Sequence, residues 1–214
     1  MLLNVVKYVA RVYFKLFHRI EVQGLENIPK KGALLIAGNH LSNADPPAIG
    51  AFAGLVRDSR FVAKKELFAV PVLGWFFRRC NYIPVDRKRT VGDMGALKEV
   101  VEALSHGQSV VMFPEGTRSK TGKPQKPKSG IGFLVYKTGA PVLPVKIEGT
   151  FGWPWVGKIR VKFGTVMHLT KDEALEPKMQ YKQFANQIMD AINSIHIERR
   201  LTAISPVGNR YKDL

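Results

Sequence analysis

Two short polar segments carry residue types that can do chemistry, and each follows an apolar run. The first, Asn39-His40-Leu41-Ser42-Asn43-Ala44-Asp45, comes directly after Ala33-Leu34-Leu35-Ile36-Ala37. A strand that delivers His40 into a polar turn, with Asp45-Pro46-Pro47 at a helix start, sets both side chains at the carboxyl edge of a sheet, where open α/β folds place their sites. There a carboxylate five residues beyond an imidazole can accept its Nδ1–H, fix the tautomer and leave Nε2 to take a proton. That is a base without a nucleophile. The chain has no Gly-x-Ser-x-Gly, and its one cysteine, Cys80, has no catalytic surroundings. The hydroxyl to be deprotonated would therefore belong to a substrate. The plainer alternative makes Asp45 a helix cap and His40 an ordinary loop histidine.

The second segment, Phe113-Pro114-Glu115-Gly116-Thr117-Arg118-Ser119, ends the apolar run Ser109-Val110-Val111-Met112-Phe113. Gly116 lets the backbone turn sharply and expose N–H groups, and the Arg118 fork matches phosphate oxygens, so the segment reads as an anion site. Glu115 is out of place in such a site unless it receives a hydroxyl of the same ligand or holds Arg118. A turn with a local Glu–Arg pair is the alternative. Lys120, Lys123, Lys126 and Lys128 follow, and no acidic residue stands between Gly116 and Ile147. Beside an arginine at a strand end, this basic run reads as surrounding an anionic ligand. A third cluster joins Phe61-Val62-Ala63-Lys64-Lys65-Glu66-Leu67 to Tyr82-Ile83-Pro84-Val85-Asp86-Arg87, and a fourth is Ala140-Pro141-Val142-Leu143-Pro144-Val145.

The elements that must position these residues alternate. Residues 33–37, 60–63, 82–85, 109–113, 142–147 and 158–163 are short runs rich in Val, Ile, Leu and Phe, several of them apolar throughout, as strands buried on both faces are. Between them, Thr90 with Asp93 opens a capping box, and Met94, Leu97, Val101 and Leu104 then repeat at helical spacing up to Gly107. A last helix follows Pro177, with Phe184, Ile188, Ile192 and Ile195 on one face. The order predicts an α/β domain with a sheet flanked by helices, without repeats or a splitting linker.

Composition narrows the function classes. The chain has 214 residues, 45% hydrophobic, with Lys+Arg 33 against Asp+Glu 17 and a formal charge of +16. That apolar content is enough for a folded domain, and a chain of this size buries about 70% of its surface. One cysteine excludes an internal disulfide framework and a multi-thiolate zinc site, and it fits a reducing compartment. The charge calls for an anionic partner: nucleic acid, a small phosphate-bearing substrate or a lipid headgroup surface. No stretch reaches the roughly 20 apolar residues of a membrane span. In the first eighteen residues, Lys7, Arg11 and Lys15 stack on one helical face with Asn4 and His18 beside them, and the rest of the segment is apolar. This suits an interfacial helix lying among headgroups, and equally a first helix packed on the core.

Asn-His-x4-Asp, the Lys-Glu-Leu and Asp-Arg region, Phe-Pro-Glu-Gly-Thr-Arg-Ser and Pro-Val-Leu-Pro-Val, in this order from Asn39 to Val145, resemble the four sequence blocks of the glycerolipid acyltransferases. The bacterial lysophosphatidic acid acyltransferases are the nearest pattern. Asn81 departs from it, standing where the second block often starts with glycine. The resemblance implies a glycerol-3-phosphate acyltransferase-like α/β fold with a mixed, mostly parallel sheet flanked by helices. It implies that His40 is the general base for the sn-2 hydroxyl of 1-acyl-glycerol-3-phosphate, oriented by Asp45. The alkoxide then attacks an acyl thioester directly, giving phosphatidic acid. Arg87 and Arg118 hold the acceptor phosphate, with Glu115 and Gly116 in the same pocket and Lys64 assisting. Acyl-CoA or acyl-ACP (acyl carrier protein) is the co-substrate, with no bound cofactor.

Such a substrate lives in a bilayer, so the expected location is the cytoplasmic face of the cell membrane, peripheral or monotopic, on an anionic surface. Residues 1–20 are expected to be an amphipathic membrane-associating helix, 21–200 the acyltransferase domain and 201–214 a tail. The first helix, the run Leu67 to Phe77, and Phe151-Gly152-Trp153-Pro154-Trp155 are the candidate anchors. The second run can instead line an acyl tunnel, and the tryptophans can pack on the core. Five cations from Arg118 to Lys128 would add several kcal/mol on an anionic leaflet, at roughly 1 kcal/mol each. The alternatives are an acyltransferase for another glycerophosphate or lysophospholipid, a silent lipid-binding relative, or a nucleic-acid-binding module. The last has no zinc-finger spacing, RNA-recognition stretch or recognition helix behind it. Gly130-x-Gly132 lacks the third glycine of a dinucleotide loop, and His106, His168 and His196 lack metal-ligand spacing.

Overall fold

The computed structural model describes residues 2–86, 94–155 and 157–198. In chain order the elements are α1 (Leu2–His18), β1 (Glu21–Gln23), β2 (Leu34–Gly38), α2 (Asp45–Ala53), β3 (Arg60–Lys64), α3 (Pro71–Arg79), β4 (Ile83–Val85), α4 (Met94–Ser105), β5 (Ser109–Met112), α5 (Ser129–Thr138), β6 (Val142–Glu148), β7 (Arg160–Phe163) and α6 (Pro177–Ser194). Seven strands form one sheet in the order β1-β7-β6-β2-β5-β3-β4. Every neighbouring pair is parallel except β6 with β7, so the sheet is mixed and mostly parallel. All six strands expected from the apolar runs are present. β1, only three residues of mixed polarity, carries no such signal and is specified by its pairing with β7.

β2 explains why the site lies where it does. Its Leu34 and Ile36 enter the core beneath α1 and α2, while Leu35 and Ala37 enter the core beneath α4, α5 and α6. Alternate residues of a strand face opposite sides, so a central strand covered on both faces must be apolar throughout. All five of its residues are buried, and the first polar residues after it emerge at the carboxyl edge. The short edge strand β4 contains Pro84, which edges tolerate because one N–H side is unpaired. The expected capping box at Thr90 and Asp93 lies outside the described residues, as does the tail 201–214.

Three helices were not marked by apolar periodicity. α5 holds Gly130 and Gly132, which weaken a helical signal, and the reason for Gly132 is packing. A Cβ there would stand 1.8 Å from the Tyr181 carbonyl oxygen of α6, so the two helices approach closely only with glycine. α2 and α3 each begin with proline in the first turn, where the missing N–H costs nothing.

α1 resolves one expectation in an unexpected sense. It packs on α2, with Phe14 buried and the Arg11 Nη1–H donating to the Ala51 carbonyl at 3.0 Å. Lys7 is 12% exposed and forms an ion pair with Asp58. Two of the three stacked cations thus face the protein, and Lys15 alone of them is exposed. What α1 turns outward is apolar: Val5, Tyr8, Val9, Leu16 and Phe17 are all at least half exposed. The face turned to the body combines Ala10, Tyr13 and Phe14, which pack on the core, with Lys7 and Arg11, which reach Asp58 and the Ala51 carbonyl. No helix among the described residues is long and apolar enough to cross a membrane.

Candidate active site

His40 and Asp45 meet at the carboxyl edge of β2. His40 Nδ1 lies 2.8 Å from Asp45 Oδ2, and that same oxygen accepts the N–H groups of Leu41 at 2.6 Å and Ser42 at 2.7 Å. An oxygen already receiving two N–H groups is an acceptor, so Nδ1 carries the proton and Nε2 presents its lone pair. Asp45 is fully buried and His40 is 6% exposed. The His40 ring is stacked on Phe113, with centroids 4.1 Å apart. Asp45 does not cap its own helix. It organises the turn that carries the imidazole, which sets aside the helix-cap reading of Asp45.

Asn39 contributes differently from its motif neighbour. Its Nδ2–H donates to the Ile147 carbonyl at 2.9 Å, and its Oδ1 accepts the Ile147 N–H at 2.8 Å. The side chain thereby extends the β2–β6 ladder one residue beyond Gly38, the last paired residue. It fixes the exit direction of the chain just before His40.

The Phe-Pro-Glu-Gly-Thr-Arg-Ser segment is joined to His40 through the backbone. The His40 N–H donates to Glu115 Oε1 at 2.9 Å, and the His40 carbonyl accepts the Ser119 N–H at 2.8 Å. Glu115 is 3% exposed, and its second oxygen accepts both N–H groups of Gln125, backbone and side chain. Its carboxylate is therefore occupied within the chain, and it holds neither Arg118 nor a site on the cavity wall. Sequence reading missed Gln125, because nothing local distinguishes a glutamine in a lysine-rich loop. Gly116 makes its turn with φ 70°, and the Lys128 side chain lies over it: a Cβ there would meet Lys128 Cδ at 2.9 Å.

A cavity of about 650 Å³ opens at this edge, within the usual size of a ligand site. His40, Phe113, Arg118 and Lys64 line it near the polar turn, and it continues between α2, α3 and α1 along Gly50, Leu73, Phe76 and Phe77. The Leu67–Phe77 run is divided: Leu67, Leu73, Phe76 and Phe77 face the cavity while Val70, Val72 and Trp75 are exposed. The aromatic loop divides likewise: Trp153 packs on the core and Trp155 is 93% exposed. Lys64 is exposed at the wall, 3.4 Å from Glu66. Arg87 lies outside the described residues. Tyr82 and Cys80 also line the cavity. Burial pushes the Tyr82 hydroxyl far up, with the nearby Cys80 adding to it, so the phenol stays protonated and is no base. Among the described residues no three His, Cys, Asp or Glu side chains gather as a metal site requires.

The fold and sequence are similar to those of known proteins. A crystal structure of the 1-acyl-sn-glycerophosphate acyltransferase of Thermotoga maritima superposes with a TM-score of 0.69 at 30% identity, covering 92% of this chain and 81% of that one. A chloroplastic 1-acyl-sn-glycerol-3-phosphate acyltransferase of Brassica napus is 35% identical over 135 residues, which are 63% of this chain and 38% of that protein. The protein of the same name in Pseudomonas aeruginosa is 34% identical over 157 residues, 70% of this chain and 60% of its own length. The chain thus spans less than two thirds of these two relatives. The sequence model of the acyltransferase family matches residues 19–148, well over half of the chain and every motif residue from Asn39 to Val145. With that match over the strands, turns and site just described, the chain belongs to the acyltransferase family.

Proposed function

We propose that this chain transfers a fatty acyl group from acyl-CoA or acyl-ACP to the sn-2 hydroxyl of 1-acyl-glycerol-3-phosphate, giving phosphatidic acid. The observation that carries this reading is the position of His40, backed by the buried Asp45, and Arg118 on the wall of one largely apolar cavity. Relatives named for that acceptor support it. His40 Nε2 takes the proton of the acceptor hydroxyl while Asp45 stabilises the imidazolium. The alkoxide attacks the thioester carbonyl, the tetrahedral adduct collapses, and the departing thiolate receives the proton back. Arg118 at the cavity mouth holds the acceptor phosphate, with Lys64 beside it and Arg87 assigned there by its motif position alone. The acyl chain lies along Gly50, Leu73, Phe76 and Phe77.

The outward apolar residues of α1 and α3, with Trp155, then rest in the headgroup region, and the loop cations meet anionic lipid or the acyl carrier. On this reading the chain works at the cytoplasmic face of the cell membrane, peripheral or monotopic. The direct test incubates the purified chain with lysophosphatidate and each donor type and identifies product by mass. Absence of phosphatidic acid with both donors refutes the proposal.

Two further outcomes follow from the cavity. Arg118→Ala is expected to raise the KM for lysophosphatidate about tenfold or more, the loss of one charge-assisted contact of 1.5–3 kcal/mol, with little change for the acyl donor. An unchanged acceptor KM removes Arg118 from the phosphate site. Burial pushes the Cys80 thiol up, so its alkylation near neutral pH is slow because little thiolate is present. A long-chain donor or lysophosphatidate is expected to slow it further by filling the cavity. Equal labelling rates with and without lipid, followed by mass, contradict acyl occupancy beside Cys80.

A further inference from the structure

The lysine-rich loop after Ser119 is braced rather than loosely solvated. At its base the Lys128 N–H donates to the Pro114 carbonyl at 2.8 Å, and near its tip Ser119 Oγ donates to the Lys123 carbonyl at 2.7 Å. Between these, Gln125 makes three bonds. Its backbone N–H and its Nε2–H donate to Glu115 Oε2 at 3.2 and 3.0 Å, and Nε2 also donates to the Thr117 carbonyl at 3.0 Å. Glu115 in turn accepts the His40 N–H, and Thr117 immediately precedes Arg118. One glutamine side chain therefore ties together two backbone segments, the one that carries His40, reached through Glu115, and the one that leads into Arg118, reached at the Thr117 carbonyl.

We propose that Gln125 is a positioning residue, which sets the separation and orientation of Arg118 relative to His40 through Glu115 and Thr117. A buried carboxylate whose second oxygen keeps the backbone N–H of residue 125 but loses the side-chain donor must find another or shift, and either perturbs the His40 backbone bonded to its first oxygen. Small displacements of a reacting group are costly because catalysis depends on near-attack geometry. The consequence for catalysis rests on the acyl-transfer reading above, whereas the consequence for the loop does not.

The test compares the wild-type chain with Gln125→Ala and Gln125→Met, the second keeping side-chain volume and the backbone bond while removing Nε2. Two readouts are taken. Hydrogen exchange is expected to accelerate at least tenfold at the His40 and Ser119 amides in both variants, at a midpoint of thermal unfolding close to wild type. In acyl transfer, both variants are expected to raise the KM for lysophosphatidate about tenfold and to lower kcat several-fold, with the donor KM within twofold. Glu115→Gln combined with Gln125→Met is expected to be no worse than either change alone, because both break one connection. Unchanged exchange at His40 and Ser119 overturns the proposal whatever the activity. So does a uniform rise in both KM values, which marks a merely structural role. A wild-type chain without acyl transfer, yet with the exchange result as expected, leaves the bracing role standing and removes the acyltransferase reading alone.

Discussion

Replacing His40 by alanine is expected to lower kcat for acyl transfer by about 10²–10⁴-fold, the range that a positioned general base contributes. The binding of lysophosphatidate is expected to stay within about twofold, since the phosphate contact lies with Arg118. The fold is expected to persist for a structural reason. What holds this turn is the His40 backbone, through its N–H to Glu115 and its carbonyl to Ser119, and neither bond involves the imidazole. The local losses are the stacking contact with Phe113 and the Nδ1–H bond to Asp45, whose oxygen keeps the Leu41 and Ser42 N–H groups. Pre-steady-state turnover with lysophosphatidate at saturation is the relevant measurement. Wild-type kcat in a folded His40→Ala chain ends the base assignment, and with it the acyl-transfer mechanism given above.

Asp45→Ala is expected to affect both stability and rate, and more severely than its conservative counterpart. One oxygen of Asp45 receives the imidazole N–H and two backbone N–H groups in a fully buried position. Alanine leaves the Leu41 and Ser42 donors without their partner, and at about 1–3 kcal/mol for each buried unsatisfied group the expected destabilisation is about 3 kcal/mol. Urea unfolding would show it as a lowered midpoint at constant slope. Asp45→Asn keeps an acceptor oxygen for those donors, so most of the stability is expected to return. The negative charge that favours the imidazolium does not, so kcat is expected to remain about 10²-fold down. If Asp45→Asn restored kcat along with stability, Asp45 would be a turn organiser only.

Much of the fold is legible in the residues because it depends on burial that a strand must satisfy locally. The apolar run 33–37 predicts a strand covered on both faces, and β2 occupies the sheet centre with no exposed residue. Ile188 and Ile192 repeat at helical spacing and are buried on α6. β1 escapes because three residues are too few for a period. α5 escapes because its glycines serve a neighbour, Tyr181, that lies far along the chain. The His40–Asp45 contact was also legible, since five residues of turn leave few ways to arrange the two groups.

Sequence by itself determined the family signature and the residue types it brings to the sheet edge: an imidazole and a carboxylate after one buried strand and an arginine after another. Tertiary structure alone decided how those parts are joined. Glu115 reads as a ligand contact from its motif, yet its carboxylate is spent on His40 and Gln125, partners chosen by folding across 75 residues in one case. The Lys7, Arg11 and Lys15 stripe shows that α1 has two faces, but not which one the body takes. That depended on the core against which Ala10, Tyr13 and Phe14 pack, with the Ala51 carbonyl placed to accept from Arg11. Periodicity is a property of one segment and can be read from that segment. A hydrogen bond or ion pair between distant segments is a property of their juxtaposition, and only the packed sheet and its helices supply it.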